Sequence, residues 1–146
     1  MHCVWTTKHH VPLLNHDLRE RLWPYLAGIA RENRMRALAV GGVEDHVHML
    51  ISLPSTLSVA EALQLLKGNS SKWIHDAFPN RHHFGWQEGY GAFSYGHSQL
   101  NAIIRYIQNQ EKHHERRSFK IEYLDLLRKF DIAFEDKYVF DFITGL

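Results

Sequence analysis

The chain has 146 residues, 45% of them apolar and 23% charged, with a net charge of +1. That length suits one domain with a single core, and the composition is that of an ordinary soluble globular protein. No apolar run reaches the roughly 18 residues of a membrane-spanning helix, no secretory leader is evident at the N-terminus, and the lone Cys3 excludes an internal disulfide framework. A cytoplasmic protein with no membrane partner is expected. The charge balance is far from the strongly basic one by which many nucleic-acid-binding domains declare themselves. The basic residues nevertheless cluster, at Lys112, Arg116, Arg117 and Lys120, at Lys67 and Lys72, and at Arg31, Arg34 and Arg36. Taken alone, each cluster reads as a solvated face rather than a phosphate track.

In chain order, His2 to Thr7 is rich in β-branched and aromatic residues and predicts a first strand. Asn15 or Asp17 caps a helix running to about Asn33, in which Leu18, Leu22, Leu26 and Ile29 recur at helical spacing. Pro24 inside it is expected to kink it or to mark a later start. Two strands follow, Arg36 to Val43 and His46 to Leu53, joined by a tight Gly-containing or bulged connection. Ser58 with Glu61 forms a capping box for a second helix reaching about Phe78, with Gly68 a plausible break. A short fourth strand is expected within Tyr90 to Tyr95, then a third helix from Ser98 to His114, a helical stretch from Ser118 to Arg128, and an extended or irregular tail from Asp131 to Phe140. The order βαββαβ followed by helices predicts an α+β, ferredoxin-like (RRM-like) antiparallel sheet with an additional C-terminal helix. A single domain over residues 1–146 is expected, with a core over 1–117 and a helical or irregular tail over 118–146.

Two strings carry chemistry. On the third strand, alternation sends Val47, Met49, Ile51 and Leu53 to the helix-covered face and leaves His46, His48 and Leu50 on the opposite, open face, so the two imidazoles converge without being core residues. On the third helix, Leu100, Ile103, Ile104 and Ile107 form the apolar stripe, and Gln99, Tyr106, Gln110 and His113 a polar edge. This helix can cover the open face and aim its polar edge at the histidines, a geometry that permits a metal held by His46, His48 and Gln110 with Tyr106 alongside. Separately, neither string decides: a His-X-His on a strand also arises by chance, and a tyrosine on an amphipathic helix is usually half-buried packing.

Taken together, Asp45-His46-Val47-His48-Met49-Leu50 and Tyr106-Ile107-Gln108-Asn109-Gln110 resemble the paired signature of the HUH single-tyrosine transposases, the insertion sequence 200/605 family with its REP-associated relatives. The segment Trp86 to Phe93 resembles what precedes that family's catalytic helix, and the resemblance runs from about Val4 to His114. It implies that His46 and His48 are metal ligands, Gln110 the third ligand and Tyr106 the nucleophile. It further implies cleavage and rejoining of single-stranded DNA at hairpin ends through a 5′-phosphotyrosine, with Mg2+ or Mn2+ and no nucleotide cofactor. One tyrosine per chain and two DNA ends to process lead to the expectation of a homodimer, with Lys112, Arg116 and Arg117 as DNA contacts.

The residue types suit that chemistry. A divalent cation neutralises a phosphodiester and orients it for in-line displacement, and a tyrosine ester conserves the bond for a later DNA hydroxyl, whereas water would discard it. Two alternatives remain: an inactive, domesticated relative serving as a single-stranded nucleic-acid-binding module, and a His-ligated metal hydrolase. The second needs another carboxylate or His ligand. Asp45 is expected to point to the opposite face, which leaves Glu44 as the near candidate.

Overall fold

Strand alternation decides which face of the sheet is core. The computed structural model describes residues 1–114 and 118–129. Four strands, β1 (His2–Thr6), β2 (Arg36–Gly42), β3 (His46–Ser52) and β4 (Gly91–Phe93), form one sheet in the order β2-β3-β1-β4, with every pairing antiparallel. This is the ferredoxin-like arrangement. The helices α1 (His16–Glu32) and α2 (Val59–Ala77) cover one face, where Cys3, Trp5, Val47, Met49 and Ile51 meet Leu18, Leu22, Leu26, Leu63 and Leu66 in the main core.

The caps are those the sequence specifies. Asn15 accepts the Leu18 N–H at 2.9 Å, and Ser58 accepts the Glu61 N–H at 3.1 Å. Pro24 lies inside α1, which does not start later because of it, and α2 runs unbroken through Gly68. Packing of both helices into the core outweighs the local cost of these residues.

The other face is covered by the third helix, as its apolar stripe was expected to allow, and by more than that helix. It is not open: α3 (Leu100–Gln108), α4 (Gln110–His114) and α5 (Phe119–Lys129) lie in this part of the chain, and two small cores seal the face. Ile103 and Ile107 pack on Ala39 and Leu50, while Phe119, Tyr123, Leu126 and Leu127 pack with Val4 and Phe93. His46 and His48 are therefore fully buried.

A bulge in β2 assists this packing. The register shifts between Ala37 and Ala39, so the consecutive residues Leu38 and Ala39 both meet the Ile103–Ile107 cluster. The expected single helix from Ser98 to His114 is divided at Asn109, which ends α3 before Gln110 begins α4. The side chain of His113 and the stretch from Asp131 to Phe140 lie outside the described residues. Among the described residues, no helix is long and apolar enough to cross a membrane.

Candidate metal and nucleophile site

The histidine pair is held from behind. β3 is flanked on both sides, opposite Thr6 and Val4 of β1 and Gly41 of β2, so its side chains are fixed by two neighbouring strands. His46 Nδ1 lies 2.7 Å from Asp45 Oδ1, and His48 Nδ1 lies 2.8 Å from His2 Nε2. Asp45 precedes the strand, and its backbone carbonyl accepts the Thr7 N–H at 2.9 Å, which turns its carboxylate toward the site. The expectation that Asp45 faces away is thus corrected, because strand alternation does not extend to a residue outside the strand. A turn with His9 and His10 in the left-handed region, at φ 57° and 58°, brings His10 Nδ1 to 3.3 Å from Asp45 Oδ2. Such conformations cost of order 1 kcal/mol or more per residue and persist where surrounding contacts enforce them.

With their Nδ1 atoms engaged, both rings turn Nε2 to a common centre. His46 Nε2 is 3.3 Å from Gln110 Oε1 and 3.6 Å from Glu122 Oε1, and His48 Nε2 is 3.0 Å from Glu122 Oε1. The approach of α3 to the sheet that makes this possible depends on Gly41, where an added Cβ would stand 2.2 Å from the Ile107 carbonyl oxygen. Tyr106, half-buried, donates its hydroxyl hydrogen to Glu122 Oε2 and sets its ring edge-on to His48 with centroids 5.7 Å apart. Gln110 is buried and donates Nε2–H to Glu122 Oε2 at 3.3 Å and to the Tyr106 carbonyl at 3.4 Å. A cleft of about 330 Å³ lined by Tyr95, Tyr106, Glu122 and Lys129 gives access to the tyrosine.

The structure therefore brings His46, His48, Tyr106 and Gln110 together, and adds Glu122, Asp45 and His2. Lys112 is exposed on α4, while Arg116 and Arg117 lie outside the described residues. Glu122 was not among the expected site residues, for which Glu44 stood as the near carboxylate. Its signal was present in the helix period. Phe119, Tyr123, Leu126 and Leu127 make one apolar stripe, and Glu122 falls within it and is buried with them. A carboxylate in a buried stripe requires partners.

The donors fit a divalent cation. Asp45 Oδ1 engages His46 Nδ1, which turns Nε2 toward Gln110 Oε1 and Glu122 Oε1, and a ring with its hydrogen on Nδ1 would present a lone pair there. Donor atoms facing one another call for a positive centre between them. His46, His48 and Glu122 each offer one such atom, all within 4.8 Å of one another. Behind them, Asp45 supplies the carboxylate–histidine support common at metal centres. His2 is different, because burial and the neighbouring His48 lower its pKa to about 2, and it stands behind the site as a neutral ring.

Residues 1–110 match the family described as "Transposase IS200 like". The chain belongs to that family. Among its relatives, the ISDra2 transposase TnpA of Deinococcus radiodurans is 25% identical over 114 residues, covering 75% of this chain and 81% of that protein. The transposase of insertion sequence element IS200 from Salmonella typhimurium is 26% identical over 114 residues, covering 75% of this chain and 74% of the relative. A crystal structure of a candidate transposase from Deinococcus radiodurans R1 superposes with a TM-score of 0.61 at 26% identity, over 75% of this chain and 88% of the other. A REP-associated tyrosine transposase bound to a REP hairpin shares the fold at 13% identity, with a TM-score of 0.58 over 77% of this chain and 66% of that one. In this IS200-like transposase Gln110 is the last residue of the family match, and Glu122 lies beyond it.

Proposed function

We propose that this transposase cuts and rejoins single-stranded DNA through a 5′-phosphotyrosine on Tyr106, at a divalent cation, Mg2+ or Mn2+, held by His46, His48 and Gln110. The observation that carries the reading is the convergence of the Tyr106 hydroxyl and the two buried Nε2 atoms on one cluster beside an open cleft. When bound, the cation supplies charge neutralisation and orientation for the phosphate.

The chain's own residues do the rest. Tyr106 presents its hydroxyl at the cleft. Its oxygen forms the bond to phosphorus as the bond to the 3′-oxygen breaks, the phenol losing a proton and the departing strand ending as a 3′-hydroxyl. A second 3′-hydroxyl then attacks the phosphotyrosine and frees Tyr106, so no nucleotide cofactor is consumed. Tyr95 and Tyr123 are poor substitutes, since burial pushes each phenol up to about 12.

The hairpin-bound state of the REP-associated neighbour supports hairpin ends as the DNA recognised. Lys112, Arg116 and Arg117 are proposed phosphate contacts, whose counterion release would make binding fall steeply with salt. Two chains acting as a homodimer in the cytoplasm would process the two ends of an element, each chain working as one domain over residues 1–146, its core over 1–117 and the tail attached. The test is covalent trapping. With a labelled single-stranded hairpin oligonucleotide and Mn2+, the full chain should yield an adduct whose peptide contains Tyr106, and Tyr106→Phe should yield none. An adduct on another tyrosine would overturn the assignment.

A further inference from the structure

We infer that Glu122 is a further ligand of the same cation, an anionic donor carried by α5, and that its second oxygen positions Tyr106 beside the ion; the inference rests on the metal reading of His46, His48 and Gln110 above. The family match ends at residue 110, so the assignment of Glu122 comes from the structure of this chain alone.

Three observations carry it. First, Glu122 is 3% exposed, and a carboxylate removed from water is costly unless a positive charge compensates it. Its contacts include His48 Nε2 at 3.0 Å, His46 Nε2 at 3.6 Å, the Gln110 amide at 3.3 Å and the Tyr106 hydroxyl. A cation between Oε1 and the two Nε2 atoms supplies the compensation, with both rings held from behind by Asp45 and His2. Second, the separations are those of shared ligands. Donors bound to one ion at about 2.1 Å stand roughly 3.0 Å apart in an octahedron and about 3.4 Å apart in a tetrahedron, and the cluster's contacts run from 3.0 to 3.6 Å. Third, the set needs it chemically. Two imidazoles and an amide are all neutral, whereas Mg2+ and Mn2+ favour oxygen donors with a carboxylate among them.

Docking of α5 is built into the fold. Phe119 and Tyr123 meet at a tilt with centroids 5.6 Å apart and pack with Val4 and Phe93. Gly91 leaves the room for it, since a Cβ there would stand 2.8 Å from the Tyr123 ring. The carboxylate therefore reaches the site on a packed element. With Oε1 at the ion and Oε2 accepting the Tyr106 hydrogen, one side chain ties nucleophile to cation.

The experiment measures Mn2+ binding to the full chain by calorimetry and by electron paramagnetic resonance, without DNA. Wild type should bind, Glu122→Gln should bind at least about tenfold more weakly, and Glu122→Asp should recover part of the loss. Tyr106→Phe should bind as wild type does, which separates ligation from the tyrosine contact. Circular dichroism on each variant reports folding, and the near-isosteric Gln keeps the packing. Equal Mn2+ affinity for wild type and Glu122→Gln, with binding lost in His46→Ala, would overturn the role of Glu122 alone. Absence of binding by wild type, or binding indifferent to His46→Ala and His48→Ala, would overturn the metal reading and this inference with it.

Discussion

His2 Nε2 stands 2.8 Å from His48 Nδ1, so the first residue of β1 fixes the ring of a candidate ligand on β3. Both rings are fully buried. Burial keeps His2 neutral, and with the hydrogen of this contact on His48 Nδ1, His48 Nε2 would keep a lone pair for the site. His2→Phe keeps a ring among Phe93, Tyr95 and Tyr106, whose centroids lie 6.1, 5.9 and 6.2 Å from that of His2, and removes the nitrogen that meets His48. The expected result is a folded protein whose Mn2+ affinity, measured by calorimetry, falls by about 10- to 100-fold. Unchanged affinity would show that packing alone orients His48.

Gly41 sets how closely the tyrosine helix lies on the sheet. A Cβ there would meet the Ile107 carbonyl carbon at 3.0 Å as well as its oxygen at 2.2 Å, and backbone cannot rotate away. Gly41→Ala is expected to cost about 2–4 kcal/mol in urea unfolding and to abolish Tyr106 adduct formation by lifting α3. Gly68→Ala is the control. Nothing lies within 4 Å of a Cβ added there, and a mid-helix glycine replaced by alanine should stabilise by about 0.5–1 kcal/mol.

The face assignment of β3 was legible because period-two alternation is local, and the structure divides Val47, Met49 and Ile51 from His46, His48 and Leu50 as that period requires. The caps at Asn15 and Ser58 were legible for the same reason. The cover that α3 gives the histidine face was legible in its apolar stripe, but the part that α5 plays was not. That part depends on contacts such as Phe119 against His46, with centroids 4.5 Å apart across 73 positions of sequence, and no periodicity reports which surface an amphipathic helix will choose. Glu122 was hidden by the same gap. The break at Asn109 was also invisible, since Gln110–His114 carries no apolar residue whose period could show that a new helix begins there.

Cys3 offers a check on the core that is independent of the site. Burial pushes its thiol up to about 12 from an ordinary value of 9.0. In the folded state the thiol stays protonated, whereas in the unfolded chain it ionises above about pH 9, so the unfolded state binds fewer protons and stability falls as pH rises from about 9 toward 12. Cys3→Ala should flatten this part of the alkaline stability profile. Iodoacetamide at pH 8 should label Cys3 only in denaturant, and rapid labelling of the native protein would contradict a buried β1.

His46 and His48 contribute to the fold as well as to the proposed chemistry. Each is 0% exposed, His46 packs on Phe119 and His48 on Tyr106, and both meet the Glu122 carboxylate. Replacing both by alanine leaves a cavity and strands a buried carboxylate, a combined cost of about 3 kcal/mol or more. The loss should concentrate in α5, because Glu122 then has less reason to stay inside. Limited proteolysis of His46→Ala/His48→Ala should cut first within Phe119–Lys129 while the sheet core persists, and Mn2+ should raise the melting temperature of wild type without raising that of the variant. A double variant as stable as wild type, with α5 equally protected, would mean that the apolar stripe alone holds the helix and that the histidines serve the site without supporting the fold.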